Sequence, residues 1–106
     1  MSEVEIQRSR SYQEYLIESL KSPERAAGYI SVMLELDEEG YDPKILRSAL
    51  EEVVEARKQL GGFSEVGKQH FEKLDKMLAE TGGVEILALI EFLDVLGYRI
   101  GIVGKD

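Results

Sequence analysis

The stretch GGFSEVGKQHFEKLDKML, residues 61–78, decides how this chain is read. It opens with a glycine break and Ser64, whose hydroxyl can cap a helix by accepting from a backbone N–H two or three residues on. Val66, Gly67 and Lys68 follow. A DNA-reading helix-turn-helix next makes a tight turn and starts a second helix, which enters the major groove by its N-terminal residues. Here Lys68 runs straight into His70–Leu78 without a turn residue.

Two readings of the stretch compete. As a helix-turn-helix, residues 64–69 form the first helix and residues 71–79 the second. Gln69, His70, Glu72 and Lys73 then lie near base edges, with Lys68 and Lys76 near phosphate. As an ordinary packed helix, Phe71, Leu74 and Leu78 at i, i+3, i+7 make the apolar face, and Glu72 and Lys76 an i,i+4 pair.

The flanking segments are helical in pattern. Residues 1–10 are polar and are expected to form a flexible N-terminal segment. Residues 11–106 form one helical domain, with an N-terminal region over 11–40 and a helix-turn-helix-like region over 41–106. Ser11 caps a short helix with Tyr12, Tyr15, Leu16 and Leu20 on one face. Ser22-Pro23 and Asp42-Pro43 each place a cap before a proline in the first turn, where its missing N–H is harmless. The helices they open are expected to reach about Glu39, before Gly40, and about Leu60. The first buries Ala26, Ala27, Ile30, Met33 and Leu34, and the second Leu46, Ala49, Leu50, Val53, Ala56 and Leu60.

After Thr81-Gly82-Gly83 the helix over Val84–Leu96 is apolar around most of its circumference. Such a helix is expected to be largely buried, with surplus apolar surface going to a subunit interface. YRIGIV alternates and is rich in β-branched residues, which reads as a short C-terminal strand. A lone strand lacks a partner, so it pairs with a symmetry mate or another protein, or stays irregular. Ile90, Leu93, Ile100 and Ile102 are the residues expected at a homodimer interface. Five to six short helices, with that possible strand pairing across a dimer, make an all-α fold.

A length of 106 residues fits one domain, and cysteine is absent. This removes disulfides, cysteine metal sites and thiolate catalysis, and agrees with a cytoplasmic location. No secretory signal or bilayer-spanning run is read from the sequence. The net charge of −8 has the wrong sign for a nucleic-acid binder. The charge is uneven, however: residues 61–78 sit in the segment 41–78, where acids and bases balance, between two acidic ends. Those ends suit a basic protein partner. Tyr12, Tyr15 and Tyr29 invite a protein-contact reading, against the plainer one that they pack helices together.

Catalysis has little to work with. One histidine, His70, no phosphate loop and no nucleophile–base spacing leave no catalytic, cofactor or metal residue to name. The acid run at Glu35, Asp37, Glu38 and Glu39, and the turn Glu51-Glu52-Glu55, read as solvated faces.

Three stretches together resemble the addiction-module antidote family. They are YQEYLIESLKSPERAAGYISVMLE (12–35), ILRSALEEVVEARKQLGGFSEVGK (45–68) and ILALIEFLDVLGYRI (86–100), in family order. The resemblance implies a lambda-repressor-like, helix-turn-helix-derived fold of the Cro/repressor class. It further implies an antitoxin of a type II toxin–antitoxin module: a cytoplasmic homodimer without cofactor that binds a small basic toxin and represses its own operon on operator DNA. The family's first motif helix ends in a turn resembling E-T-G-L-S, which this chain shortens, leaving out the turn glycine and the apolar residue after it. Gly67 stands where the family has alanine. Two helices are expected here, or one kinked near His70; one continuous helix favours a protein-interaction module of the same descent that has lost DNA binding.

Overall fold

The structure, a computed structural model, describes residues 12–35 and 41–105. Among them the chain is all-helical, with five helices and no strand. They are α1 (residues 12–19), α2 (Pro23–Met33), α3 (Pro43–Gln59), α4 (Glu65–Thr81) and α5 (Val84–Val95). The expected Ser11 cap, the Gly40 stop and the flexible first ten residues lie outside the described residues.

The punctuation in the sequence works as its chemistry requires. Ser22 and Asp42 sit in extended backbone, each followed by a proline, and their side chains accept from Arg25 N–H and Lys44 N–H. α2 is shorter than expected: it ends at Met33, with Leu34 already outside helical geometry.

α4 corrects the central expectation. Where two helices or a kink were expected, residues 65–81 form a single helix of 17 residues, a rod of about 25 Å. Ser64 Oγ accepts from Gly67 N–H at 3.0 Å, so the serine caps this one helix. Without a turn glycine nothing interrupts the i→i−4 ladder, and Gln69-His70 continue it. Gly67 has its own reason to be there. A Cβ at this position would stand 3.1 Å from Phe63 Cε1, so the glycine lets the Phe63 ring fold onto the first turn.

Gly82 and Gly83, both left-handed at φ +69°, turn the chain directly from α4 into α5. Thr81 Oγ1 accepts from Gly83 N–H at 3.1 Å and donates to the Met77 carbonyl at 2.9 Å. α5 ends at Val95, and just past it, beyond the left-handed Gly97, Tyr98 N–H folds back to the Leu93 carbonyl. Within the single chain residues 98–105 are irregular, the outcome open to a lone extended segment that has no pairing edge there.

α3 packs against both α2 and α4. Leu20, Ala26 and Ala56 form a buried cluster, with Leu16, Ile17, Tyr29 and Val53 around it. Leu46, Ala49, Leu78 and Ile90 are buried as well. Leu60, expected in the core, is exposed at the C-cap of α3. The helix-to-helix fastener between α3 and α4 is polar: Arg47 Nε and Nη2 donate to Asp75 Oδ1 and Oδ2 at 2.8 and 3.1 Å.

Candidate functional site

Every residue proposed for DNA contact lies on the solvent side of α4. Lys68, Gln69, His70, Glu72, Lys73 and Lys76 are all exposed. At 3.6 residues per turn, Lys68, Gln69, Glu72, Lys73 and Lys76 share an arc of about 140°, and His70 lies beyond it toward Met77. The arc is of mixed sign. Lys76 Nζ lies 4.0 Å from Glu80, not beside the expected partner Glu72. Since α4 is unbroken, residues 71–79 do not form a separate second helix.

The acidic turn of α3 is more than a solvated face. Glu52 is half-buried and receives two side chains: Tyr29 Oη donates to Oε1 at 2.9 Å and Gln13 Nε2 to Oε2 at 3.1 Å. One carboxylate thus ties α1, α2 and α3 together. Burial, and then the hydrogen bond and charge of Glu52, push the Tyr29 hydroxyl up to about 12. The neighbouring Glu51 and Glu55 remain exposed.

These residues line a groove of about 440 Å³ between α1, α3 and α4. Ile17, Val54 and Phe71 give it an apolar floor. Glu51, Glu52 and Glu55 supply three carboxylates against one cation, Lys58, with Gln13 and Ser48 as further polar groups. Such a lining suits a cationic side chain with an aliphatic stem.

The three candidate partner tyrosines separate. Tyr29 packs against the core cluster and is bound to Glu52. Tyr12 and Tyr15 point to solvent on α1, at 67% and 69% exposure.

The candidate dimer residues also separate. Ile90 is buried within the chain, Leu93 and Ile100 are half-buried, and Ile102 is exposed. Ile90 and Ile100 line a cleft of about 200 Å³ with Leu34, Glu35, Asp94, Tyr98 and Arg99. The opposite side of α5 is open: Val84, Leu89, Phe92, Val95 and Leu96 face solvent.

No group of three His, Cys, Asp or Glu side chains that could hold a metal ion occurs among the described residues. Nor is any described helix long and apolar enough to cross a membrane. Glu52 was missed by reading the acids as a uniform solvated turn. Its place on the helical wheel, flanking Ala49 and Ala56, is the signal that finds it. Compared with known proteins, the chain matches no protein-family model, no curated protein and no solved structure.

Proposed function

We propose that this chain is a helical protein-interaction module of antitoxin-like descent, and that it engages a basic protein instead of reading operator DNA. The groove between α1, α3 and α4 carries this reading. It combines three glutamates with an apolar floor, and Tyr12 and Tyr15 stand exposed on the helix that forms one wall. A helix bearing Lys or Arg beside apolar residues meets complementary charge and buries its stems there. Two features support protein over DNA. The unbroken α4 lacks the second helix that enters the major groove. The net charge of −8 opposes approach to phosphate.

The test uses the purified full chain, the DNA upstream of its own gene and the product of any small basic reading frame beside it. Calorimetry is expected to show salt-dependent binding of the basic protein, weakened at least tenfold by Glu51→Lys with Glu55→Lys. Both positions are exposed, so the fold is retained. A specific shift of the upstream DNA that outlasts competitor DNA, without any protein binding, would reverse the assignment.

A further inference from the structure

Residues 99–104 form a strap that runs back along α2. Arg99 stands 3.6 Å from Glu35, just past the end of that helix, and Ile102 N–H donates to Ser31 Oγ at 2.9 Å. Ile102, Val103 and Gly104 then line a groove with Pro23, Glu24, Ala27 and Gly28. Glu24, Ala27, Gly28 and Ser31 follow at spacings of three and four, so a single face of α2 meets the strap. Ser31 is set for this contact. Its hydroxyl donates to the Ala27 carbonyl at 2.8 Å, which leaves an oxygen lone pair for the incoming N–H.

The fit is loose. None of residues 99–105 is buried, and Val103 is 86% exposed. A space of about 390 Å³ stays open between the strap and the helix, and a Cβ built on Gly28 meets nothing within 4 Å. An exposed ion pair such as Arg99–Glu35 adds little. A segment that served only to seal the core would bury its β-branched side chains. We propose that this face of α2 is a recognition groove for an extended peptide segment of another protein, and that the strap holds it closed in the free chain. The strap is the template for that partner: Arg or Lys to meet Glu35, a backbone N–H three positions on to meet Ser31, and an apolar side chain for the space beside Ala27 and Gly28. Because the strap competes at the high effective concentration of a tethered ligand, the partner binds by displacing it. None of these residues lines the acidic groove between α1, α3 and α4, so the site stands or falls separately from the basic-protein reading.

Fluorescence anisotropy with the full chain and a labelled peptide of residues 98–105, YRIGIVGK, decides the matter. Ile102→Pro removes the donating N–H and frees the groove. That variant is expected to bind the peptide at least fivefold more tightly than the wild type, the scale of one hydrogen bond. Should it not fold, Arg99→Glu, at a side chain 82% exposed, opens the strap from its other end. Gly28→Leu added to either variant fills the open space with a better helix former. It is expected to abolish capture and leave the circular dichroism spectrum unchanged. A peptide with glutamate in place of its arginine is expected to bind at least fivefold more weakly. Glu51→Lys with Glu55→Lys is expected to leave capture unchanged, because the acidic groove is not used. Equal binding by the opened chain and the wild type overturns the proposal. So does capture indifferent to Gly28→Leu, or capture lost with Glu51→Lys and Glu55→Lys, which would assign the peptide to the acidic groove.

Discussion

Arg47 on α3 and Asp75 on α4 form a two-point pair, Nε to Oδ1 at 2.8 Å and Nη2 to Oδ2 at 3.1 Å. The fork of the guanidinium matches the carboxylate, so the pair fixes the orientation of α4 on α3 as well as its proximity. The hydrogen bond from Arg47 holds the Asp75 carboxyl below its usual range. A depressed carboxylate contributes stability above its ordinary value near pH 4, and that contribution disappears as the pH falls through the folded value. Urea melts at pH 7 are therefore expected to place Asp75→Asn below the wild type. The gap should narrow as the pH falls below about 4 and shrink in high salt. A gap that stays constant with pH would show the carboxylate charge to be idle.

Tyr29 and Tyr41 predict opposite outcomes for the same substitution. Tyr29 Oη donates to Glu52, so Tyr29→Phe is expected to cost about 1 kcal/mol. The Tyr41 hydroxyl is buried with no hydrogen-bond partner among the described residues, and burial, then Asp42, raises its pKa. Tyr41→Phe is expected to be neutral or stabilising, because it removes an unsatisfied polar group. Urea unfolding of the two variants gives the comparison. In an ultraviolet titration Tyr29 is expected to ionise last, at about 12. Its raised value stabilises the fold below about pH 10 relative to higher pH, and this contribution is lost between pH 10 and 12.

Gly83 is restricted twice over, by conformation and by space. Its φ is +69°, and a Cβ there would stand 2.5 Å from Tyr41 Oη and 3.3 Å from Leu78 Cδ2. Gly82 shares the φ but has nothing within 4 Å. Gly82→Ala is expected to cost about 1–2 kcal/mol for the left-handed backbone alone. Gly83→Ala should cost more, since the ring of Tyr41 or the turn must move. Equal destabilisation would mean that Tyr41 swings away freely.

The lysines of α4 give the sharpest view of the DNA question. Lys73 and Lys76 are exposed, and Lys76 only approaches Glu80. If α4 met phosphate, each Lys→Ala change would lower the salt slope of binding by about one. The expected result is no specific binding of upstream DNA by the wild type and hence no slope to lower.

The caps were legible because they are local. Ser22, Asp42 and Ser64 satisfy backbone N–H groups within three residues, so neighbouring sequence alone places the helix starts. The fate of residues 61–78 was not legible, because the outcome hinged on what the shortened turn left behind: with no glycine after Gly67, continuing the helix satisfies every backbone group. Glu52 was hidden for a different reason. Its partners, Gln13 and Tyr29, lie 39 and 23 residues away in sequence, and only packing brings them together. α5 was read as apolar around most of its circumference and so largely buried; in the structure only Ile90 of this helix is buried, because the pattern could not say which side the chain itself covers. Ile90 faces inward while Phe92, two residues on, faces out.

Ser31 and Ile102 stand 71 positions apart, yet Ile102 N–H donates to Ser31 Oγ at 2.9 Å. Among the described residues, this is the one hydrogen bond made by any amide of residues 99–105. Among the hydrogen bonds of the described residues it closes the longest loop, so loop-closure entropy is expected to make it a late step in folding. It is also expected to be among the first to open in the native state. Amide exchange is expected to run near the unfolded rate along residues 99–105 while the central turns of α3 stay protected. The tail is thus a segment whose release leaves the five helices assembled.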